Sequence, residues 1–368
     1  MNIKKFVRPN ICSLKAYEAK EIPCKIKLDA NESPYSAFSL RPMGVQSTTH
    51  GRSAFNVGKI FHSLNRYPDP EAKALKKIIS KYFGVRSENI LQGNGSDELI
   101  YYLITTFGGP VLYPVPTFSM YRIIAQAVGE KTIEIPLDEE FDLDLEKIIK
   151  AIKRYRPKLI FLSSPNNPTG NCYSSEKMLR IIDLTSSLIA RYSLLSLVVV
   201  DEAYQPFSSE TGFLPFLKDY ENLVIMRTLS KIGLAGLRAG FLIADEEIIK
   251  EVNKVRLPFN VNSLSQTIAG EALKDRKTLQ SRIKSIISDR EKLFNELSGI
   301  EGIKPYPSEA NFILFRIKNP DRIYQALLKK GVLIRNMKGA VDGCLRVTVG
   351  TPEENRIFIK ALKEAGAM

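Results

Sequence analysis

Short continuous runs of apolar residues alternate with longer amphipathic stretches along the middle of the chain. The short runs, rich in Leu, Ile, Val and Phe, cover residues 159–162, 197–200, 223–226 and 239–243. Continuous apolar runs of this length predict strands that are covered on both faces of a sheet. Residues 174–192 have apolar side chains at helical spacing and lie between the first two runs. The alternation therefore predicts an α/β fold around a mostly parallel sheet.

Four further stretches have helical spacing, namely residues 71–83, 97–107, 263–298 and 321–330. The carboxyl-terminal part of the chain has a different pattern. Strand-like runs at 311–315, 332–334 and 345–349 surround the last of these helices, which predicts a smaller α+β domain. We assign residues 1–45 to an N-terminal segment that joins the small domain, 46–255 to a large α/β domain and 256–368 to the small domain. Residues 36–62 have no clear period and are predicted to be loop or irregular structure.

Composition excludes several classes of protein. The 368 residues include four cysteines without a C-x-x-C pair and two histidines, so a zinc site is not expected. The sparse cysteines are typical of a reducing compartment, and no apolar run is long enough for a signal peptide or a membrane span. We therefore expect a cytoplasmic protein without a membrane partner.

The net charge of +13 indicates either attraction to an anionic partner or a lysine-rich solvated surface. The basic residues are spread along the whole chain, and no basic run is interleaved with aromatic residues. We therefore expect no nucleic-acid partner, although phosphorylated small molecules remain compatible with the charge.

Polar residues follow three of the predicted strands directly. The first strand leads into residues 163–170, the second into 201–204 and the third into 227–231. Ligands of open α/β sheets bind beyond the carboxyl ends of the strands. Each of these polar residues alone is weak evidence for a ligand site, since an Asp after a strand is usually a helix cap and an Asn-Asn-Pro-Thr-Gly run is usually a turn. Their occurrence in order, each at a strand end, predicts one ligand site that contains Asn167, Asp201, Tyr204, Ser230 and Lys231.

These residue types suit pyridoxal 5′-phosphate (PLP). A lysine can form a Schiff base with the aldehyde of PLP, and a carboxylate such as Asp201 can keep its pyridine nitrogen protonated. Asn167 and Tyr204 could donate hydrogen bonds to the ring oxygen. Ser230 and the forked guanidinium of Arg238 could hold the phosphate. The Gly-rich turn at residues 91–98 precedes a predicted helix, whose free N–H groups are a second candidate for the phosphate.

Nine stretches resemble one known family. They are residues 28–35, 65–70, 93–98, 116–121, 164–170, 201–204, 228–231, 235–240 and 344–354. Together they resemble the class I and II aminotransferases of PLP fold-type I. The stretches Asn-Glu-Ser-Pro, Arg-Tyr-Pro-Asp-Pro and Gly-Ser-Asp-Glu narrow the resemblance to the histidinol-phosphate aminotransferases. The fold implied is a large domain around a mostly parallel sheet with a smaller α+β domain.

The resemblance also implies roles for individual residues. Lys231 would be the catalytic lysine that carries PLP and moves the proton. The implied contacts to the cofactor are made by Gly95, Ser96, Asp97, Phe118, Asn167, Asp201, Tyr204, Ser230 and Arg238, and by Tyr67 of a neighbouring subunit in a homodimer. The implied substrate-binding residues are Tyr17, Asn31, Arg335 and Arg346. Many relatives have tyrosine where this chain has Phe118, so a hydroxyl contact is lost while ring stacking is kept.

The reaction implied is transfer of an amino group between histidinol phosphate or imidazole-acetol phosphate and glutamate or 2-oxoglutarate, a step of histidine synthesis. An aromatic-amino-acid aminotransferase and a phospho-amino-acid decarboxylase share much of this motif set and remain open. A third possibility is a PLP-binding regulator that does no chemistry. The complete set of Lys231, Asp201 and Arg238 argues against the regulator.

Overall fold

The computed structural model describes residues 22–35, 64–192 and 196–366. The strands are β1 (Ile26–Lys27), β2 (Ile90–Asn94), β3 (Val111–Val115), β4 (Thr132–Pro136), β5 (Leu159–Ser163), β6 (Leu197–Asp201), β7 (Leu223–Thr228), β8 (Ala239–Ala244), β9 (Ile303–Pro305), β10 (Phe312–Ile317), β11 (Val332–Leu333), β12 (Arg335–Asn336) and β13 (Cys344–Thr348). The α-helices are α1 (Lys73–Phe83), α2 (Ser96–Phe107), α3 (Met120–Val128), α4 (Leu145–Tyr155), α5 (Ser175–Tyr192), α6 (Glu246–Asn253), α7 (Ser263–Lys274), α8 (Arg276–Ser298), α9 (Pro320–Lys329) and α10 (Pro352–Glu364).

A seven-stranded sheet forms the centre of the molecule. Its strand order is β2-β8-β7-β6-β5-β3-β4. Strands β3 to β7 pair in parallel, whereas β8 runs antiparallel to both β2 and β7. The mostly parallel sheet that the apolar runs predicted is therefore confirmed.

Helices cover both faces of this sheet, which explains why its strands are continuously apolar. Along β6, Val199 packs in one core cluster with Leu99 of α2, while Val198 and Val200 pack in the opposite cluster with Ile182 of α5. All three valines are fully buried. Because successive side chains of a strand point to opposite faces, a strand covered on both sides has no solvent-facing position.

A second, smaller sheet lies in the carboxyl-terminal part. Its order is β12-β13-β10-β9, and all its pairs are antiparallel. The amino-terminal segment joins this part of the molecule, because β1 pairs in parallel with β11, where Ile26 is opposite Val332. The α+β character predicted for this part is confirmed. The exact domain boundaries remain predictions.

Several sequence predictions differ from the structure. The single helix predicted over residues 263–298 is wrong, because the chain breaks at Asp275 into α7 and α8. The side chain of Asp275 accepts a hydrogen bond from the backbone N–H of Thr278 at 3.2 Å and so caps the second helix. The Gly-rich turn predicted at residues 91–98 is also partly wrong, since its first half is β2. The prediction for residues 36–62 lies outside the described residues.

No helix within the described ranges is long and apolar enough to cross a membrane.

Candidate active site

The carboxyl ends of β5, β6 and β7 open onto one cavity of about 430 Å³. Parallel strands place these ends at the same edge of the sheet. Five of the residues singled out from the sequence line this cavity together, and we call them the strand-end cluster: Asn167, Asp201, Tyr204, Ser230 and Lys231. The volume falls within the range typical of small-molecule sites.

Asp201 is the buried acid of the strand-end cluster. It ends β6, is 4% exposed and lines the cavity. Its Oδ2 accepts a hydrogen bond from the hydroxyl of Tyr121 at 2.6 Å, and its Oδ1 accepts one from the backbone N–H of Ala203 at 3.0 Å. Burial raises the pKa of Asp201 to about 6, although both donors oppose this effect by stabilising the carboxylate.

Lys231 lies in a short 3₁₀ turn that follows β7. Its Nζ is 5.6 Å from the centre of the Tyr204 ring, which is a cation–π distance. The hydroxyl of Tyr204 accepts a hydrogen bond from Asn31 Nδ2 at 3.0 Å. Lys231 and Asp201 therefore reach the cavity from neighbouring strands, with an aromatic ring beside the amine.

A buried ion pair ties these two strands together next to the cavity. Glu202 follows Asp201, and its side chain is fully buried. It accepts from Arg227 Nε at 2.8 Å, and its Oε2 is 2.6 Å from Arg227 Nη2. Two atoms of one guanidinium thus hold the end of β7 against the end of β6. Backbone pairing sets the spacing of β6 and β7, and this ion pair adds a side-chain link at their ends.

A cradle of small residues lies at the start of α2. Gly95 precedes this helix with a φ of 85°, and a Cβ atom there would collide with the guanidinium of Arg238. A Cβ at Gly240 would come within 2.8 Å of the backbone of Gly95, so two backbones approach closely. Arg238 Nη2 lies 3.2 Å from Asp97 Oδ2, and both side chains are nearly half exposed. Ser96, Asp97 and Arg238 all line the cavity.

Segments from opposite parts of the sequence form another side of the cavity. We call its predicted residues Asn31, Arg335 and Arg346 the arginine wall; all three line the cavity. Arg335 and Arg346 are directly opposite each other on β12 and β13. Arg346 is 7% exposed, donates to Asn167 Oδ1 and donates from Nη2 to the carbonyl of Asp29 at 3.1 Å, whereas Arg335 is exposed. Arg346 therefore connects the arginine wall to the strand-end cluster.

Asn31 is held by groups that follow it by about three hundred residues. Its backbone N–H donates to Thr348 Oγ1 at 2.9 Å, and its carbonyl accepts from Asn311 Nδ2 at 3.0 Å. The residue is 2% exposed, and its φ is 53°. Left-handed backbone is tolerated by asparagine better than by most residues.

Three further predicted residues have different positions. Phe118 lines the cavity, and its ring lies edge-on to Tyr121 with centroids 5.7 Å apart. Tyr67 is 81% exposed and stacks on Phe259 at 4.6 Å, and it does not line the cavity of its own chain. Tyr17 lies outside the described residues.

The sequence reasoning missed other residues that contribute to the site. The most important is Tyr121, whose hydroxyl contacts Asp201. Its spacing of three residues from Phe118 could have placed both on one face of a helical turn. Lys27, Thr117 and Thr228 also line the cavity. Thr117 and Thr228 lie within the family-like stretches 116–121 and 228–231, but the resemblance gave no role to their side chains.

Comparisons with known proteins agree with one another. The family model "Aminotransferase class I and II" matches residues 24–362. A histidinol-phosphate aminotransferase of Aquifex aeolicus is 44% identical to this chain over 363 residues, which is 96% of each chain. The crystal structure of the histidinol-phosphate aminotransferase from Clostridium acetobutylicum has a TM-score of 0.81 and 26% identity, and the match covers 92% of this chain and 98% of that one. A histidinol-phosphate aminotransferase from Sinorhizobium meliloti, solved in complex with PLP, has the same fold, with a TM-score of 0.79 and 23% identity over 98% of this chain and 97% of that one.

Proposed function

Because the chain belongs to the class I and II aminotransferase family, we propose that it transfers the amino group of L-histidinol phosphate to 2-oxoglutarate, with PLP as cofactor. The chain is an enzyme of this family. The substrate is proposed from its 44% identity to a histidinol-phosphate aminotransferase along nearly the whole chain. The observation that carries the proposal is one cavity lined by a lysine, a buried carboxylate and two opposed arginines.

The residues of the strand-end cluster fit PLP. Asp201 offers a buried carboxylate to the pyridine nitrogen, and Lys231 offers an amine to the aldehyde. Asn167 and Tyr204, which line the cavity, would donate hydrogen bonds to the ring oxygen, and the ring of Phe118 would stack on a face of the pyridine ring. Gly95, Ser96, Asp97, Ser230 and Arg238 would hold the phosphate end, where α2 begins with free backbone N–H groups. A Cβ at Gly95 would collide with the guanidinium of Arg238, so glycine is what lets this cation lie against the start of α2.

The chain's own groups carry out the proton transfers. Bound PLP supplies a reactive aldehyde and a ring that withdraws electrons when a proton leaves the substrate. Lys231 Nζ would take the proton from Cα of the substrate as a general base and then give it to C4′, the carbon that carries the aldehyde in free PLP. Asp201 holds the proton of the pyridine nitrogen through an ion pair, which a buried carboxylate does more strongly than a solvated one.

The arginine wall suits substrates with two different anionic groups. Like charges directly opposite on neighbouring strands repel each other, so Arg335 and Arg346 favour an anion that lies between them. Lys27 adds a third cation near this point, because it pairs with Leu333, two residues before Arg335. The planar guanidinium group matches the geometry of a phosphate ester and that of a carboxylate. The same wall can therefore accept histidinol phosphate in one half-reaction and a dicarboxylate in the other. Asn31 would orient the substrate from the opposite segment, and Tyr17 would complete this end.

We also propose a homodimer in which Tyr67 reaches the phosphate of a neighbouring subunit. The exposure of Tyr67 and its position outside the cavity of its own chain support this arrangement. A cytoplasmic location, expected from the sparse cysteines, also remains a proposal; the described cysteines Cys24, Cys172 and Cys344 are free thiols.

A half-reaction tests the substrate. The protein is purified with PLP, and its visible absorption band is followed after separate additions of histidinol phosphate, phenylalanine and O-phosphothreonine. We expect rapid bleaching with histidinol phosphate and slow bleaching with the other two. Faster bleaching with phenylalanine would indicate an aromatic-amino-acid aminotransferase, and release of CO₂ from O-phosphothreonine a decarboxylase. A cofactor band that no amine bleaches, together with a salt-dependent DNA complex, would indicate the regulator instead.

A further inference from the structure

Tyr121 contacts the strand-end cluster through Asp201 but does not line the cavity. Tyr121 is completely buried in α3, and its hydroxyl is 2.6 Å from Asp201 Oδ2. The other carboxylate oxygen accepts the backbone N–H of Ala203 at 3.0 Å. Asp201 is therefore fixed by one donor on each oxygen, one from the backbone of its own strand end and one from a side chain of a helix.

The ring of Tyr121 has little freedom to move. It stacks on Phe161 with centroids 4.7 Å apart and an interplanar angle of 16°. Phe118 meets its edge at 5.7 Å, and Tyr113 lies at 6.0 Å. Three aromatic neighbours on different elements thus determine where the hydroxyl points. A donor held in this way costs little conformational entropy when it orders the carboxylate.

We propose that Tyr121 is a positioning residue for the cofactor, because its hydroxyl orients the Asp201 carboxylate towards the cavity and keeps it in the ionised form that pairs with the pyridine nitrogen. This inference rests on the proposed function, since it concerns the same cofactor. Tyr121 acts through Asp201 and does not line the cavity.

The hydrogen bond from Tyr121 affects the protonation state of Asp201, because several groups act on its pKa in opposite directions. Burial raises the pKa of Asp201, and the charge of Asp97 raises it further. The hydroxyl of Tyr121, the N–H of Ala203 and the charge of Lys231 lower it. With a pKa of about 6, Asp201 is mostly ionised at neutral pH, and these groups lower the pKa against the effect of burial. Removal of one donor raises the pKa towards neutrality, so a larger fraction of Asp201 is protonated and unable to accept the proton of the pyridine nitrogen.

The test compares Tyr121→Phe with Tyr113→Phe. Both changes remove one hydroxyl from a buried ring and preserve its shape. Tyr113 is a matched control because its hydroxyl donates to Glu134 at 3.0 Å and does not contact Asp201. The affinity of the full-length, cofactor-stripped protein for PLP is measured by absorbance between pH 5.5 and 9. We expect the acid limb of this affinity to move up by about one pH unit in Tyr121→Phe, which corresponds to about threefold weaker binding near pH 6.5, about eightfold weaker binding at pH 5.5 and almost no difference at high pH. The Tyr113→Phe profile should coincide with that of the unchanged protein.

A second variant should move the acid limb of the PLP-affinity profile in the opposite direction. Replacement of Tyr121 by 3-fluorotyrosine keeps the ring and makes the hydroxyl a stronger donor, so we expect the acid limb to shift to lower pH. This variant also tests the inference if Tyr121→Phe does not fold. An acid limb that stays in place in both variants, or that moves equally in Tyr113→Phe, would overturn the role of Tyr121. Failure of the unchanged protein to bind PLP would instead overturn the proposed function, so the two failures are distinguishable.

Discussion

The strand-end cluster and the arginine wall line the same cavity but are built in different ways. The strand-end cluster comes from consecutive strands between residues 159 and 231, and its central acid is buried and hydrogen-bonded on both oxygens. The arginine wall joins residue 31 to residues 335–346, and one of its two arginines is exposed. The cluster is therefore suited to one fixed partner, the cofactor, while the wall is suited to exchanging substrates. Rigid chemistry and adjustable recognition thus lie on separate parts of this fold.

The largest expected effect is loss of the amine from the strand-end cluster. Lys231→Ala should lower turnover by more than about 10³-fold, because it removes both the attachment of the cofactor and the general base. The half-buried position of Lys231 in a short turn leaves the folded core intact, so thermal unfolding of the variant should match that of the unchanged protein. Stopped-flow measurement of the half-reaction provides the test. Turnover at a normal rate would show that the cluster does not carry the chemistry.

Asp201→Asn should separate activity from stability within the same cluster. Turnover should fall by about 10²-fold or more, because a neutral amide cannot hold the pyridine proton through an ion pair. The cofactor-free protein should become more stable at pH 7.5, by about 1–3 kcal/mol. The reason is that burial raises the pKa of Asp201 to about 6 in the folded chain, against an ordinary value of 3.8, so its ionisation opposes folding.

The pH dependence of this gain follows from the same values. Below pH 3.8 Asp201 is protonated in the folded and unfolded states, so its ionisation costs nothing. The cost grows as the pH rises through that value and is complete above about pH 6. Urea unfolding of both proteins at pH 5 and pH 7.5 should therefore show the smaller difference at pH 5. An Asn variant that is less stable at both values would contradict the burial of an ionised carboxylate.

The smallest of these effects, but the most selective, should come from the arginine wall. Arg335→Ala should raise KM for histidinol phosphate by about 10- to 100-fold, the usual effect of losing a hydrogen-bonded ionic contact. KM for phenylalanine should change by less than about threefold, because its side chain carries no phosphate. Stability should stay the same, since Arg335 is exposed. Equal losses for both substrates would show that the arginine wall does not select the phosphate group.

Sequence reasoning predicted the strand-end cluster well because its information is local. Each of Asn167, Asp201 and Lys231 follows an apolar run within a few residues, and parallel strands bring such ends together whatever the rest of the chain does. Resemblance to known aminotransferases supplied Asn31, Arg335 and Arg346, which no local pattern would have joined. Their roles as binding residues remain predictions.

The parts that could not be predicted depend on contacts between distant elements. Tyr121 looks like a core aromatic in α3, and only the packing of α3 against β6 brings its hydroxyl to Asp201. The break at Asp275 was missed because the apolar spacing continues on both sides of it, while the side-chain cap that interrupts the helix has no period. The short strands β1 and β12 carry too few residues for any alternation to be recognised.

The pairing of the amino-terminal segment with β11 and β13 affects the order of folding during translation. Translation delivers Asn31 early, but its partner Thr348 follows 317 residues later. By that point the ribosome has released the strands that carry Asp201 and Lys231, whereas the backbone of the segment around Asn31 has waited for its partner strands β11 and β13. A loop of this size closes slowly, so the pairing belongs to the last steps of folding. The nascent protein can therefore assemble the place for its cofactor before it can recognise a substrate.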